Sequence, residues 1–307
     1  MMAPGVPELS IAPNGGNSQT GVAGALLPNP IVVQVAGVTP VNGQIVNFVV
    51  TLGGGSVFAN AVPSWRPTSG PWANMDGIAQ NRWTLGTTAG PQTVEARLVN
   101  PLNGATLTQA TFQATALAGP AALLKVAAGG QQAGAAGSAV AAPPAVRVTD
   151  QYGNPITGVA VTFAVATGGG SITGPATINT GGDGLAAVGG WTLGTTAGAN
   201  TLTATRSGLT GSPVTFSAVG GAGAAAQLVR GAGDGQSALV GTQVATVPVV
   251  RVVDANGNGV AGVAVTLTVR SGGGSVEGVG ALTTLSDATG AAGVNWTLGR
   301  TVGPNTL

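Results

Sequence analysis

The chain has 307 residues, of which 54 are glycine and only 6% are charged, and its formal net charge is +1. Ordinary globular proteins carry roughly 25% charged residues, and nucleic-acid binding requires a basic surface that contacts several phosphates. The charge content therefore excludes a nucleic-acid partner and an electrostatic role at a membrane surface. Because the chain contains no cysteine and no histidine, disulfides, Ser-His-Asp triads, thiolate catalysis and ordinary zinc sites are excluded as well.

The mean hydropathy of +0.39 is high for a soluble chain and raises the question of a membrane span. A spanning helix needs about 20 consecutive apolar residues, and polar residues such as Lys125 and Arg230 interrupt the apolar stretches. We therefore predict no transmembrane helix. Residues 1–16 show neither a charged segment nor an apolar segment of the kind that signal peptides contain. If the protein is exported, we expect this chain to be a fragment or to lack its true N-terminus.

A tryptophan motif reveals an internal repeat. The sequence W-T-L-G starts at Trp83, Trp191 and Trp296, which are 108 and 105 residues apart. A period this long exceeds the 20–50 residues of solenoid repeats and matches an autonomous domain with its own core. We predict three copies in which each Trp is a core anchor. An exposed Trp that stacks on a ligand is the alternative, but one Trp at the same place in each copy favours the core.

The first copy, predicted for residues 1–118, departs most from the pattern. We align its Val32 with Val146 and Val250 of the other copies, and after this strand it lacks the acidic turn that the other copies share. The three copies share the run G-G-G-S at Gly53, Gly168 and Gly272. Each copy also has a glutamine ahead of its first long strand, namely Gln19, Gln132 and Gln236.

The first copy also carries a loop insertion near residues 61–75. It contains Trp65, Arg66 and Trp72 among several prolines. Because Trp and Arg are favoured at binding hot spots, these three residues are our candidate contact surface. The alternative is a loop that folds back on its own domain.

The second copy, predicted for residues 119–221, shows the pattern most clearly. Short alternating runs rich in Val and Thr are separated by turns every 8–12 residues, which is typical of strands in a β-sandwich. No helical period is present. The predicted strands and turns are Ala145–Thr149, a turn over Asp150–Pro155, Val159–Phe163, a glycine loop or bulge at Gly168–Gly170, the strand that starts at Trp191, Asn200–Ala204 and Pro213–Ala218.

The third copy, predicted for residues 222–307, repeats Val146–Phe163 as Val250–Leu267. Its last residue, Leu307, corresponds to Leu202 of the second copy, so we predict that it lacks its last strand. Such a sandwich exposes an unpaired edge. We expect either truncation, which we favour, or a strand supplied by another molecule in a strand-exchange assembly. Unless such a strand-exchange assembly forms, we expect the protein to be a monomer.

Asp254, Asn256 and Asn258 are spaced like the first half of a calcium-binding loop and form a weak calcium candidate. The twelfth position, where such a loop has glutamate, is Val265. Tyr152 interrupts the same spacing in the second copy. Asp and Asn also stabilise tight turns through their own backbone, and we favour this turn interpretation.

Catalysis has little support in the sequence. The only lysine is Lys125, near a domain junction, and nine carboxylates spread over the chain form no clustered pair. We therefore predict that the protein is not an enzyme and has no cofactor.

Over nearly the whole chain, the copies resemble the bacterial immunoglobulin-like domain of group one, the repeat of intimins and invasins. In the second copy the similarity lies in V-x-V-x-D-x-x-G-N-P-x-x-G-V-x-V-x-F over Val146–Phe163, the glycine turn at Gly168–Gly170, the W-T-L-G stretch over Trp191–Leu202, and P-V-T-F over Pro213–Phe216. The resemblance implies tandem immunoglobulin-like antiparallel β-sandwiches, an all-β fold displayed at the bacterial cell surface or secreted.

The sequence is compatible with two functions. The first is a rigid stalk or cell-adhesion module, whose ligand would belong to a host cell, to the extracellular matrix or to a polysaccharide. The second is a carbohydrate- or polymer-binding accessory module of a larger secreted protein, for which Trp65 and Trp72 would provide flat aromatic faces.

Overall fold

A computed structural model of the protein describes residues 7–37, 44–58 and 77–307, and every regular element in these ranges is a β-strand. Buried hydrophobic side chains of this part of the chain form three separate clusters. Their members lie within 23–116, 124–218 and 244–296. We call the surrounding parts of the chain the first, second and third modules; the domain boundaries at residues 118 and 221 stay a prediction.

The strands of the first module are β1 (Glu8–Ile11), β2 (Gln19–Val22), β3 (Ile31–Ala36), β4 (Ile45–Leu52), β5 (Gly55–Val57), β6 (Ile78–Asn81), β7 (Trp83–Leu85), β8 (Gly90–Val99) and β9 (Thr106–Leu117). Those of the second are β10 (Leu123–Ala128), β11 (Gln131–Ala135), β12 (Ala145–Thr149), β13 (Ala160–Thr167), β14 (Ser171–Thr173), β15 (Thr177–Asn179), β16 (Leu185–Ala187), β17 (Gly190–Thr192), β18 (Gly198–Thr205) and β19 (Val214–Gly221). Those of the third are β20 (Gln227–Ala232), β21 (Val249–Val253), β22 (Ala264–Thr268), β23 (Gly274–Val276), β24 (Ala281–Leu285), β25 (Ala291–Gly293) and β26 (Trp296–Leu298).

The second module is a sandwich whose two main sheets have the strand orders β11-β19-β18-β13-β15 and β10-β12-β16, and the Trp191 strand β17 pairs with β14 in a separate two-stranded sheet. Its strands pair in antiparallel fashion except for β11, which runs parallel to β19. The inward side chains alternate with exposed ones, so that Val146 and Val148 from one sheet face Phe163 and Phe216 from the other. The rings of these phenylalanines are 6.4 Å apart. The first module repeats this architecture with β2 parallel to β9. The predicted all-β, immunoglobulin-like fold is confirmed.

The strand pairing corrects the alignment of the first copy by one residue. Val33 pairs with Ala79 as Val146 pairs with Ala186, so Val33, not Val32, is equivalent to Val146. Because successive side chains of a strand point to opposite faces, this shift decides which residues are buried. Val33 is fully buried, as Val146 is.

A close backbone approach explains why the glycine run and W-T-L-G recur together. Gly168, Gly169 and Gly170 have φ values of 81°, 77° and 88°, a conformation that L side chains rarely adopt. A Cβ atom on Gly194 would lie 1.7 Å from the carbonyl oxygen of Gly168. The N–H of Gly194 donates to Oδ1 of Asn200 over 3.0 Å. The same contacts link Gly53, Gly86 and Gln92 in the first module and Gly272, Gly299 and Asn305 in the third.

The recurring glutamines have a structural role as well. Nε2 of Gln132 donates to the carbonyl oxygen of Ala142 over 2.8 Å, and its Oε1 accepts from the N–H of the same residue over 2.8 Å. Gln19 forms this pair with Asn29, and Gln236 forms it with Thr246. Gln19 and Gln132 therefore tie β2 and β11 to the loop that precedes the next strand, and Gln236 makes the same pair from the segment that follows β20.

The third module has an open side. Within the described residues, β22 pairs only with β24, whereas its counterpart β13 also pairs with β18. The side chains of Leu228, Leu267, Trp296 and Leu307 line a groove of about 1080 Å³ there. Trp296 is 9% exposed, whereas Trp83 and Trp191 are fully buried.

The core tryptophans Trp83, Trp191 and Trp296 differ from most buried polar side chains, because none of their indole Nε1 atoms has a hydrogen-bond partner.

We expect Trp191→Ala to destabilise the second module by about 3–5 kcal/mol, the usual range for emptying such a core site. Trp191→Phe should cost less than half as much, since it removes less volume and sacrifices no hydrogen bond. Hydrogen exchange of β12 and β18 amides measures both. The exposed Leu102→Ala serves as control, and equal losses in the two Trp191 variants would contradict the interpretation.

Candidate functional site

The predicted turn after β12 is built on a buried aspartate. Oδ1 of Asp150 accepts from the backbone N–H groups of Tyr152 and Asn154, over 2.8 and 2.9 Å. Its Oδ2 accepts from Nδ2 of Asn154 over 2.8 Å and from the N–H of Gly119 over 2.9 Å. The carboxylate therefore holds the turn and the connection to the first module in one arrangement.

Asn154 extends from this turn to the first module. Its Nδ2 donates to the carbonyl oxygen of Thr87 over 2.8 Å, and its Oδ1 accepts from the N–H of Ala89 over 2.8 Å. Tyr152 lies against Gly24, where a Cβ atom would be 2.7 Å from the tyrosine hydroxyl oxygen. Both ends of the side-chain amide are thus paired with backbone groups of the preceding module.

The junction between the second and third modules has the same geometry. Oδ1 of Asp254 accepts from the N–H groups of Asn256 and Asn258, and its Oδ2 accepts from Nδ2 of Asn258 and the N–H of Gly223, all over 2.8–2.9 Å. Nδ2 of Asn258 donates to the carbonyl oxygen of Thr195 over 2.9 Å. Its Oδ1 accepts from the N–H of Ala197 over 2.8 Å.

Asn256 adds a third contact at this junction, because its Nδ2 donates to the carbonyl oxygen of Ala136 over 3.2 Å. We call Asp150–Asn154 and Asp254–Asn258 the Asx turns. We call Thr87–Ala89 and Thr195–Ala197, which follow the Trp strands, the receiving loops. Each Asx turn and the receiving loop that it contacts form one inter-module junction.

Hydrogen bonding favours the ionised form of both aspartates. The side-chain amide of Asn258, and then the N–H of Gly223, lower the pKa of Asp254 to about 2. Burial raises the pKa of Asp150, but hydrogen bonds from the Asn154 side chain and from backbone N–H groups outweigh it and leave the pKa below its ordinary value. Both carboxylates are therefore charged acceptors at neutral pH, and hydrogen bonds to a charged group are stronger than those between neutral ones.

The weak calcium candidate coincides with the second Asx turn. The oxygens of Asp254 and Oδ1 of Asn258 accept hydrogen bonds from N–H groups, and the amide of Asn256 donates to a carbonyl. These groups therefore serve the turn and the junction. In 7–37, 44–58 and 77–307, no group of three or more carboxylates could hold a metal ion.

The candidate contact surface of Trp65, Arg66 and Trp72 lies outside the described residues and stays a prediction. Trp83, Trp191 and Trp296 lie in the three core clusters. No helix in the described ranges has the length and apolar character needed to cross a membrane.

Sequence reasoning did not find the junctions, although a signal was present. The element D-x-x-G-N occurs in the second and third copies and is missing from the first, which has no preceding module in this chain. The stretch after each W-T-L-G also recurs, although its side chains take no part in the junction hydrogen bonds. A search for polar elements that occur only in copies following another copy would have singled out D-x-x-G-N.

The fold and its junctions define a class of protein, an array of immunoglobulin-like sandwiches joined by Asx turns. No protein-family model matches the chain, and no curated protein does. Among solved structures, the chain is similar to invasin, described as a bacterial integrin-binding protein, with a TM-score of 0.42, 16% identity, and coverage of 96% of this chain and 55% of that one. The chain thus spans about half the length of invasin.

Two further structures are similar to the chain. The adhesin InvE of Yersinia pseudotuberculosis has a TM-score of 0.31 and 15% identity, over 84% of this chain and 71% of that one. The D0-D1 domain of intimin has a TM-score of 0.25 and 19% identity, over 69% of this chain and 94% of that one.

The lowered pKa of Asp254 predicts an acid-sensitive junction. An aspartate whose folded pKa lies below its unfolded value of about 3.9 contributes stability that is present above that value and lost as the pH falls through the folded pKa. The same hydrogen bonds hold the turn that carries Asn258, so protonation of Asp254 weakens that turn, and we expect the second junction to loosen between about pH 4 and pH 2. The measurement is the distance distribution between spin labels at Ala187→Cys and Ala281→Cys. Loosening that is complete above pH 5 would contradict this assignment, and Asp254→Asn should remove the transition.

Proposed function

We propose that this chain is a non-catalytic, stiff spacer region of a bacterial cell-surface or secreted protein, which displays an adhesive or binding part at a distance. The observation that carries the proposal is the repeated junction, in which one asparagine amide pairs with a carbonyl and an N–H of the preceding module. A spacer needs fixed angles between its modules, and this contact provides them.

The hydrogen-bond geometry supports a fixed orientation. A single hydrogen bond allows rotation about its axis, whereas a donor and an acceptor on the same planar amide restrict both distance and rotation. At a net value of about 0.5–1.5 kcal/mol for each hydrogen bond, two bonds contribute about 1–3 kcal/mol to each junction. That range corresponds to closed-to-open ratios of about 5 to 150.

Short connections strengthen this effect. Only 118–122 separate β9 from β10, and only 222–226 separate β19 from β20. Short connections reduce the entropy that is lost when two modules dock. Gly119 and Gly223 lie in these connections and donate to Asp150 and Asp254, so that the connection itself is part of the junction.

The chemistry of the chain supports a structural role over a catalytic one. The absence of histidine and cysteine removes the imidazole base, the thiolate nucleophile and two common metal ligands, and the nine carboxylates are spread along the chain. The aspartates with lowered pKa values at the junctions accept hydrogen bonds from backbone and amide groups, which is a structural use of a carboxylate. Display outside the cell follows from the resemblance of the sequence motifs to the repeats of intimins and invasins, and we include a host-cell, matrix or polysaccharide ligand in the proposal.

The stiffness can be measured directly because the chain has no cysteine that would compete for labels. Spin labels at the exposed positions Ala187→Cys and Ala281→Cys report on the junction between the second and third modules. We expect a narrow distance distribution in the native chain and at least a twofold broadening with Asn258→Ala. The pair Gln109→Cys and Ala187→Cys should respond in the same way to Asn154→Ala.

A matched control lies in the third module itself. Oδ1 of Asp287 accepts from the N–H groups of Thr289 and Ala291 over 2.8 and 2.9 Å, as Oδ1 of Asp254 does from its own turn, but these bonds stay within one module. Asp287→Ala should leave the distance distribution unchanged. A broad distribution in the native chain would refute the stiff spacer.

A further inference from the structure

The third module carries a receiving loop of its own, Arg300–Val302, after its Trp strand. The N–H of Gly241 donates to the carbonyl oxygen of Gly299 over 2.9 Å. The corresponding bonds, from Gly24 to Gly86 and from Gly137 to Gly194, measure 2.9 and 2.8 Å. The backbone frame that supports the two occupied loops is therefore already formed in the third module.

The surroundings of this loop match those of the other receiving loops, both in the glycine that contacts it and, for Thr195–Ala197, in the nearest side chain. Gly137, Gly24 and Gly241 have φ values of 78°, 78° and 70°, so the position keeps one backbone conformation. A Cβ atom on Gly241 would lie 3.6 Å from Cγ of Arg300, and one on Gly137 would lie 3.6 Å from Cγ2 of Thr195. The aliphatic part of Arg300 thus takes the place of the threonine methyl group.

The loop differs from the other two in its hydrogen bonds. Ala89 and Ala197 donate their N–H groups to asparagine side chains. Over the part of the chain that the structure describes, the N–H of Val302 and the carbonyl oxygen of Arg300 have no such partner. Val302 is 88% exposed. The loop therefore presents an acceptor and a donor at the two positions that correspond to those bridged by an asparagine amide at the other junctions.

We propose that Arg300–Val302, together with Gly241, is a docking site for the Asx turn of a further immunoglobulin-like module that carries the sequence D-x-x-G-N. This inference rests on the spacer function proposed above and names the partner of that same kind of site. The asparagine of the incoming turn donates to the Arg300 carbonyl and accepts from the Val302 N–H, as Asn154 and Asn258 do at their loops.

A second copy of this chain in solution does not supply that turn. Its two Asx turns are already engaged with its own receiving loops. In its first module the structural equivalent of Asp150 is Gly37, because Val33 is equivalent to Val146. Modules therefore dock through this contact in one direction along the array. The partner is a module that follows the third one in the same chain, where the effective concentration of its Asx turn is high.

The test is a fusion that keeps the native period. Leu307 corresponds to Leu202, so a second copy of residues 203–307 joined directly after Leu307 completes the third module with β18 and β19 residues. It also adds one further module with its Asx turn. Spin labels are placed at Ala281→Cys in the third module and in the added copy. We expect a narrow distance distribution, which broadens at least twofold when Asn258→Ala is made in the added copy only.

Asp287→Ala in the added copy is the matched control and should not change the width. A second measurement is amide hydrogen exchange at Val302. The fusion should slow it at least tenfold relative to the chain of 307 residues, and Asn258→Ala in the added copy should restore fast exchange. Equal widths and equal exchange with and without Asn258 in the added copy would overturn the docking site.

These measurements distinguish failure of the docking site from failure of the spacer function. If the Ala187 and Ala281 labels of the native chain give a narrow distribution while the added module does not dock, only the docking site is refuted. If the native distribution is broad, the spacer function is refuted first.

Discussion

The asparagine amide at each junction is the contact on which the arrangement of the modules depends. An amide offers one donor and one acceptor in a plane, and here both are used on backbone groups of the neighbouring module. Because the partners are backbone atoms, the receiving loop needs a shape rather than a particular side chain. The aspartate of the same turn positions the asparagine and also binds the connecting segment, so that one carboxylate controls both the turn and the approach of the modules.

Within a module, the corresponding constraint is the close approach of the glycine run to the strand of the tryptophan. Gly168 and Gly194 meet at a distance that excludes any Cβ atom. This approach places Trp191 at the centre of the core and leads the chain directly into the receiving loop at Thr195–Ala197. The same few residues therefore set both the core packing and the docking geometry. This shared role explains why W-T-L-G and the loop after it are the most similar stretch of the repeat.

An array of this kind has a direction. The first and second modules each receive an Asx turn near their tryptophan loops, and the second and third modules each present an Asx turn toward the module before them, while the first module has Gly37 at the position of the aspartate. The low charge fits such a design, because exposed ion pairs contribute little to stability and the junctions use charge-assisted hydrogen bonds to backbone groups instead. In the proposed spacer, stiffness would come from this repeated local geometry, in a chain that contains no cysteine.

The sequence by itself determined the all-β class, the period of the repeat and the core position of Trp83, Trp191 and Trp296, because burial patterns and turn residues are local properties that recur in phase. It also placed Asp150 and Asp254 in turns, since an aspartate bonds the backbone a few residues ahead. Only the tertiary structure decided that Val33 rather than Val32 faces the core, because that depends on strand pairing with Ala79. It alone paired Asn154 with Thr87 and Ala89, since a contact between modules depends on how separate cores are oriented, which no local pattern specifies.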